Sequence, residues 1–242
     1  MAAIELREVT KRFGSVTALA ETSLSIADGE FVSILGPSGC GKSTLLFIVA
    51  GLERASAGEV ICGGVAVTGP GRERNVVFQE YALFPWRDVL GNVTIGLEGH
   101  VGAGELEKRA RHYVSLVGLA GFEHHYPHQL SGGMKQRTAL ARALAMEPEV
   151  LLMDEPFAAV DAQTRESLQE ELLRIWSGNK MTVLFVTHSI EESIYLSERV
   201  VVMKPGGIKE MLRVDEAYPR SYGFRTSETA SVLRTQLHEL LR

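Results

Sequence analysis

Alternating and continuous apolar runs divide the first third of the chain into short predicted strands. They are IELREV from Ile4, ETSLSI from Glu21, EFVSIL from Glu30 and GEVICGGVAV from Gly58. Each has the pattern of a strand that is buried on one or both faces. A further strand, VVF, leads to Gln79 after the turn-forming segment VTGPGRERN. The pattern predicts a β-rich region that is interrupted by one glycine-rich loop and its helix.

The pattern becomes helical after the strand VVF. In ELEKRARHYVSLVGL, apolar side chains recur at helical spacing at Leu106, Ala110, Tyr113 and Val117. This spacing predicts an amphipathic helix whose outer face is charged. We therefore expect a helical insertion over about residues 85–140.

Strands and helices alternate in the remainder of the chain. The apolar strands EVLLMDE, TVLFVTH and RVVVMK follow one another, with the predicted helix TRESLQEELLRIW between the first two. This alternation predicts an α/β fold with a mostly parallel sheet. Residues 205–242 are predicted as a short polar tail with a weak helix at SVLRTQLHELLR. The whole chain, residues 1–242, is predicted to form a single domain.

Composition and charge narrow the class of protein. The 242 residues are 45% hydrophobic and 23% charged, which is typical of a soluble globular protein. A net charge of −5 gives no basic field, so no nucleic-acid partner is predicted. Two cysteines, Cys40 and Cys62, indicate a reducing compartment and no structural disulfide. From its first residues we expect no secretory signal, and no apolar run approaches about 18 residues, so we expect any membrane role to depend on a partner.

The segment LGPSGCGKST, residues 35–44, fits the pattern G-x-x-x-x-G-K-[ST] between a predicted strand and a helix. Glycines let backbone N–H groups converge on phosphate oxygens, and the helix adds its positive amino end. Lys42 can neutralise the β- and γ-phosphates, and the hydroxyl of Ser43 can bind Mg²⁺. The predicted ATP-binding residues here are Gly36, Pro37, Ser38, Gly39, Cys40, Gly41, Lys42, Ser43 and Thr44.

Two adjacent carboxylates end the predicted strand EVLLMDE. Ligands of parallel sheets bind at the carboxyl ends of strands, so Asp154 is predicted to hold Mg²⁺ and Glu155 to face the attacking water. The alternative is an acidic strand end that caps the next helix.

The segment LSGGMKQRTALARAL opens a long alanine-rich helix at Ser131, Gly132 and Gly133. A hydroxyl, bare backbone N–H groups and the helix dipole make this end a second predicted anion site. The alternative is an ordinary serine N-cap.

Together these motifs resemble the ATP-binding subunits of ABC transporters over nearly the whole chain. GPSGCGKST resembles the Walker A loop, VFQEYALFPW the Q-loop, LSGGMKQR the family signature, VLLMDEP Walker B and FVTHSIEES the switch-histidine segment. The resemblance implies a P-loop NTPase with a mostly parallel sheet, an N-terminal antiparallel β subdomain and an inserted helical subdomain.

The resemblance also implies the roles of individual residues. Glu155, His188 and Gln79 would be catalytic, and Phe13 would stack on adenine. Magnesium would be held by Ser43, Gln79 and Asp154. The residues that would contact ATP bound to a second chain are Ser131, Gly132, Gly133, Gln136 and Asp161. The D-loop before Asp161 departs from the usual family pattern because it has Ala158, Ala159 and Val160.

In this family two ATP-binding chains, identical or paired, enclose two ATP molecules and move membrane-bound permease subunits. YPHQLSGG resembles importers, which implies a periplasmic or extracellular solute-binding protein and a location on the cytoplasmic side of the inner membrane. Residues 69–98 resemble the nitrate, sulfonate and taurine branch, so a small anion is the expected solute. Phe84 and Trp86, beyond Gln79, are predicted to receive a short cytoplasmic helix of the permease. Their alternative is satellite-core packing.

Two other classes of protein share some of these motifs. A soluble ABC ATPase of DNA repair or translation commonly carries two ATPase halves or a long coiled coil, whereas this chain has one copy of each motif and no sustained heptads. A nucleotide kinase would leave LSGGMKQ unexplained.

Overall fold

The computed structural model describes residues 2–158, 160–179 and 181–242. Ala159 of the predicted D-loop lies outside the described residues. The strands are β1 (Ile4–Phe13), β2 (Val16–Ile26), β3 (Phe31–Leu35), β4 (Ala57–Cys62), β5 (Val65–Ala66), β6 (Arg74–Val77), β7 (Val150–Asp154), β8 (Thr182–Thr187), β9 (Arg199–Lys204) and β10 (Gly207–Arg213). The helices are α1 (Lys42–Ala50), α2 (Val89–Thr94), α3 (Ala103–Leu116), α4 (Gly132–Ala145), α5 (Ala162–Asn179), α6 (Ile190–Leu196) and α7 (Glu228–Leu241).

The first sheet is antiparallel and has the order β2-β1-β4-β5. Its first two strands form a hairpin in which Phe13 pairs with Val16, and Gly14 in the turn has a φ of 58°, which favours glycine. β1 extends past Val9, where the predicted strand stopped, because residues 11–13 continue to pair with β2 across two register shifts.

The second sheet has the order β10-β9-β3-β8-β7-β6. The five strands from β9 to β6 are parallel and β10 is antiparallel at the edge, so the predicted mostly parallel sheet is confirmed. Every residue of β3, β7 and β8 is buried, because helices or the first sheet cover both faces. Because these strands are parallel, the carboxyl ends of β3, β8 and β7 lie side by side at one end of the sheet. This row of strand ends is called the sheet edge below.

Helices α2, α3 and α4, which come between β6 and β7 in the sequence, pack together. On α3, Ala110 and Tyr113 are buried together with the adjoining Val117, and Leu106 is partly buried, as the helical spacing predicted. The last helix of this group, α4, also contacts β6, which joins it to the sheet. The start of α4 therefore lies in the helical segment, and α4 is also joined to the main sheet through β6.

The residues after 205 form more structure than the predicted polar tail with a weak helix. β10 adds an edge strand to the main sheet, and α7 packs against α6. The buried residues that anchor this segment are Val214, Phe224, Ala230, Leu233 and Leu237. These apolar residues are widely spaced among polar ones. The segment therefore looks polar on average in the sequence, and its buried residues were not predicted. In the described part of the chain, no helix combines the length and the apolar character needed to cross a bilayer.

Candidate nucleotide site

The glycine-rich loop connects the carboxyl end of β3 to the start of α1, and β3 is an inner strand of the main sheet. A Cβ atom at Gly36 would collide with the carbonyl oxygen of Met203, and one at Gly41 with that of Ala18. Gly41 also has a φ of 100°. Both glycines are therefore required where the loop leaves the strand and enters the helix. Within the same loop Cys40 is buried, whereas Ser38 and Gly39 are exposed.

Lys42 is 4% exposed and its ammonium lies inside the loop. Its Nζ donates hydrogen bonds of 2.9 Å to the carbonyl oxygens of Gly36 and Pro37. The loop backbone therefore holds the positive charge where bound phosphates would compete for it.

Ser43 and Asp154 meet at the start of α1. The hydroxyl of Ser43 donates to Oδ1 of Asp154 at 2.9 Å. Asp154 ends β7 and is 6% exposed, and burial raises the pKa of its carboxyl group, against the opposing effect of the Ser43 hydrogen bond. A hydroxyl and a carboxylate oxygen are hard oxygen donors of the kind that Mg²⁺ prefers, so the residues present fit this ion.

Glu155 and His188 form a second pair beside this contact. Oε2 of Glu155 lies 3.0 Å from Nδ1 of His188, which follows β8 directly. Glu155 has a φ of 44°, an uncommon value for a side-chain-bearing residue, and its backbone N–H donates to the carbonyl of Val186 at 2.9 Å. This turn directs the chain away from β7 directly after Asp154. The pair is accessible, since the His188 side chain is 60% exposed.

Gln79 follows β6 and is exposed. It lines a groove with Tyr81, Leu83, Pro127 and Lys135. A residue that sequence reasoning missed holds this segment, and it belongs to the signature helix α4.

That residue is Arg142. Its guanidinium donates to the carbonyl oxygen of Tyr81 at 3.0 Å and to that of Ala82 at 2.5 Å. Ala82 has a φ of 47°. The signature helix therefore fixes the turn that follows Gln79. The only signal in the sequence is one arginine in the apolar run ALARALA.

Phe13 ends β1 with its side chain half exposed. Nζ of Lys11 lies 4.6 Å from the centre of its ring. Lys11 is held in turn by Glu53 at 2.6 Å and by the carbonyl of Arg54 at 2.9 Å. One face of the ring is therefore supported by a cation, and the ring keeps an exposed apolar surface.

The signature residues differ in their exposure. Ser131 is exposed and caps α4, since its Oγ accepts from the N–H of Met134 at 3.3 Å. Gly133 is buried against Thr164 of α5, and a Cβ atom there would collide with that threonine. Gln136 is 2% exposed and its Oε1 is buried without a hydrogen-bond partner among the described residues. The contact of Gln136 with ATP on a second chain stays a prediction, and in the single chain this side chain lies in the interior.

Asp161 is exposed and caps α5. Its Oδ1 accepts from the N–H of Thr164 at 3.0 Å, and this hydrogen bond lowers the pKa of the carboxyl group. In the single chain its carboxylate therefore stabilises a helix end.

Glycine loop, lysine, hydroxyl and paired carboxylates at the ends of parallel strands define the P-loop NTPase class. A sequence model described as ABC transporter matches residues 19–158. The chain belongs to the ABC transporter family, as its motifs predicted.

Relatives resemble the chain over almost its entire length. It is 50% identical to an uncharacterized ABC transporter ATP-binding protein of Methanocaldococcus jannaschii, over 99% of this chain and 91% of that protein. It is 45% identical to an aliphatic sulfonates import ATP-binding protein of Bacillus thuringiensis subsp. konkukian, over 97% of this chain and 94% of that protein.

Solved structures have the same fold. A dimeric bacterial ABC transporter cassette gives a TM-score of 0.81 at 34% identity, over 88% of this chain and 100% of that chain. The same cassette in a dimeric post-hydrolysis state bound to ADP and Pi gives a TM-score of 0.79. The predicted P-loop fold is confirmed, and the chain is an ATPase of the kind that powers ABC transporters.

Proposed function

We propose that this chain is the ATP-hydrolysing subunit of an importer for a small anion, with a sulfonate as the first solute to test. The observation that carries the ATPase site is the convergence of the glycine loop, the Ser43–Asp154 contact and the Glu155–His188 pair at one sheet edge. The solute class is supported by the 45% identity to an aliphatic sulfonates import protein. Nitrate and taurine are the other members of the solute class that the sequence suggested.

ATP binds through groups of this chain that differ in chemistry. Backbone N–H groups of residues 38–44, within the glycine loop, and the ammonium of Lys42 receive the phosphates. The exposed face of Phe13 receives adenine by stacking, while Lys11 supports the ring from its side. Ser43 and Asp154 would hold Mg²⁺, with Gln79 as the third predicted ligand. When bound, the ion would supply positive charge against the negative charge of the phosphates.

Hydrolysis requires a water that is directed at the γ-phosphorus. Glu155 accepts a proton from this water as its oxygen bonds to phosphorus, and the bond between phosphorus and the β–γ bridging oxygen breaks to release ADP. His188 orients the Glu155 carboxylate through the 3.0 Å contact. Its contact with the γ-phosphate is the role that the family resemblance implies. The exposed position of Gln79 suits a group that reports on this water to the permease contact.

Two chains form the working unit. The exposed Ser131 and the start of α4 reach the γ-phosphate that is held by the other chain, and Asp161 lies at the same interface. This arrangement is suggested by the dimeric cassette that shares the fold. Closing and reopening of the pair moves the permease subunits, to which the chain binds on the cytoplasmic side of the membrane.

The soluble ABC ATPase of DNA repair or translation is not favoured, because relatives that match 97% of the chain include an import ATP-binding protein. Co-expression with candidate permease genes tests this point. We expect the chain to co-purify from detergent-solubilised membranes with an integral membrane protein, and recovery of the chain without one would contradict the transporter role.

The reconstituted complex, with its solute-binding protein, then tests the solute. ATP turnover should rise with an alkanesulfonate and remain at the basal rate with an uncharged alcohol of the same length. Lys42→Ala should abolish turnover with either compound, because the loop loses its buried cation. If nitrate alone raises turnover, the sulfonate assignment is wrong and the ATPase assignment stands.

A further inference from the structure

A buried carboxylate lies directly behind the catalytic pair. Glu192 is 6% exposed, and its Oε2 accepts a hydrogen bond of 2.6 Å from Oγ1 of Thr187. The same Thr187 oxygen accepts a hydrogen bond of 3.0 Å from the backbone N–H of Ser189. Because Thr187 and Ser189 flank His188, one hydroxyl held by Glu192 fixes the backbone on both sides of the histidine.

The other oxygen of Glu192 faces Arg165 on α5. Its Oε1 lies 3.9 Å from Nε of Arg165, and this Nε is buried and has no hydrogen-bond partner in the described part of the chain. Nη2 of Arg165 donates to the carbonyl oxygen of Val160 at 2.8 Å. Val160 directly precedes Asp161, so the guanidinium spans from the D-loop to the carboxylate behind His188.

Stability alone does not account for a carboxylate at this position. Burial raises the pKa of Glu192, whereas the Thr187 hydrogen bond and the charges of Arg165 and His188 oppose this change. A buried ion pair often stabilises a fold no more than apolar residues of the same volume. Here the pair is also incomplete, because 3.9 Å exceeds hydrogen-bonding distance. The distance between Arg165 and Glu192 can therefore shorten, which suits two residues that move relative to each other during turnover.

We propose that Arg165 and Glu192 are positioning residues that link the D-loop to the switch histidine. The proposal rests on the two-chain site proposed above. When a second chain engages Asp161, the Val160 carbonyl displaces the guanidinium of Arg165 relative to Glu192. The Thr187 hydroxyl transmits this displacement to His188. Neither Arg165 nor Glu192 touches ATP, so the link acts on turnover and leaves affinity unchanged.

Glu192→Gln and Arg165→Met test the link, singly and together. Glu192→Gln keeps an oxygen that can accept from Thr187 and removes the charge that faces Arg165. We expect each single variant to lower kcat about tenfold, which is within the range of coupling between residues in contact. KM for ATP should change less than about twofold, because no contact with ATP is lost. The double variant should be no slower than the slower single variant, because the link is already broken.

A matched pair on the same helix provides the control. Glu171 and Arg174 form an exposed ion pair on α5, with Nη2 of Arg174 2.5 Å from Oε1 of Glu171. Glu171→Gln and Arg174→Met should leave kcat and KM at parent values. Thermal unfolding of all variants identifies any loss of kcat that merely follows instability.

Thr187→Val provides an independent break at the other end of the link. It removes the hydroxyl with little change of shape, and it should reproduce the loss of kcat at unchanged KM even if Arg165→Met fails to fold. Losses that multiply in the double variant, or a normal kcat in Thr187→Val, would overturn the link. Parent turnover and ATP-dependent pairing of Glu155→Gln are measured alongside. If these two are absent, it is the proposed two-chain ATPase that fails.

Discussion

Ser43 and Asp154 are 111 positions apart in the sequence, yet the hydroxyl of the first donates to the carboxylate of the second at 2.9 Å. The contact joins the first turn of α1 to the end of β7. Asp154 is 6% exposed, so its carboxylate is surrounded mainly by protein. The buried negative charge of Asp154 favours binding of a cation and, without a cation, lowers the stability of the fold. Functional sites often lower stability in this way.

Asp154→Asn should therefore stabilise the nucleotide-free chain. Burial raises the pKa of Asp154, so the folded state binds the proton more tightly than the unfolded state does. Stability from this group is greatest below the unfolded pKa and is lost as pH rises through the folded pKa. At pH 7 the neutral amide should raise the Tm of the nucleotide-free chain above that of the parent, because no charge then has to be buried. Turnover of Mg²⁺-ATP should be lost.

Asp161→Asn is the matched control for that measurement. The hydrogen bond from Thr164 lowers the pKa of Asp161, so its charged form favours folding above the unfolded pKa. Its replacement should not raise Tm. The gain from Asp154→Asn should also disappear near pH 3, where both states of the parent bind the proton. A lower Tm for Asp154→Asn at pH 7 would contradict the assignment of burial as the dominant effect.

Glu155→Gln should retain ATP and lose most hydrolysis. The amide keeps the shape beside His188 but does not accept a proton from water, and loss of one such group typically costs about 10²- to 10⁴-fold in rate. Single-turnover phosphate release measures the chemical step, and calorimetry measures ATP binding. Hydrolysis at the parent rate would instead assign the water to another residue, of which His188 is the nearest at 3.0 Å from Glu155.

The motif residues were predictable because each motif is local in sequence. Lys42, Ser43 and Asp154 lie at fixed places in two short segments, and the order of strands and helices brings their elements to one sheet edge. The contacts that support the site from distant parts of the chain were not predictable. Arg142 binds a carbonyl 61 residues away, and carbonyl oxygens have no sequence signature.

Gln136 shows what its place in the sequence leaves open. The signature segment implies a contact with a second chain, which stays a prediction, and α4 turns this side chain into the interior of the single chain, where it is 2% exposed. Only the packing of α4 determines which of its faces is outward. The carboxyl-terminal segment was underestimated for a related reason, since few apolar residues anchor it and their common face exists only in the folded helix α7.

Arg142→Lys should loosen the turn after Gln79. The planar guanidinium bonds two successive carbonyls, those of Tyr81 and Ala82, whereas one ammonium on a flexible stem does not match both. Loss of one bond should cost about 1–2 kcal/mol of stability. Hydrogen exchange at residues 79–83 should increase, and stimulation of ATP turnover by the permease should fall more than basal turnover. Arg111→Lys on the exposed face of α3 is the control. Equal hydrogen exchange in both variants would contradict the proposal that Arg142 fixes this turn.

Trp86→Ala should impair assembly with the permease and leave basal ATP turnover intact. Trp86 is 70% exposed and its ring centre lies 5.6 Å from that of Phe84, so the two rings form an apolar surface beyond Gln79. Such a surface suits a short helix that docks in a groove. Co-purification yield and solute-stimulated turnover measure the loss. Tyr222→Ala removes another aromatic ring, 62% exposed, and should have no effect on assembly. Unfolding of Trp86→Ala would instead favour the packing role.

Ser131→Arg separates a shared ATP site from a self-contained one. In the Glu155→Gln background ATP stays bound, and two chains should associate because each γ-phosphate needs the start of α4 from the other chain. Ser131 is exposed at that helix end. A long side chain there occupies the space where backbone N–H groups must approach an oxygen to about 3 Å. ATP-dependent pairing should be abolished in size-exclusion chromatography, while calorimetry should still detect ATP bound to the monomer through Lys42 and its loop.

Ser227→Arg controls for the other effects of that substitution. Ser227 caps α7 through a 3.2 Å hydrogen bond from the N–H of Ala230, so its replacement removes the same kind of cap and adds the same charge. Loss of a cap typically costs about 1 kcal/mol in either place. Pairing should survive in this variant. Pairing that also survives Ser131→Arg would refute the shared site, and a Ser131→Arg monomer that no longer binds ATP would assign the signature to the nucleotide of its own chain.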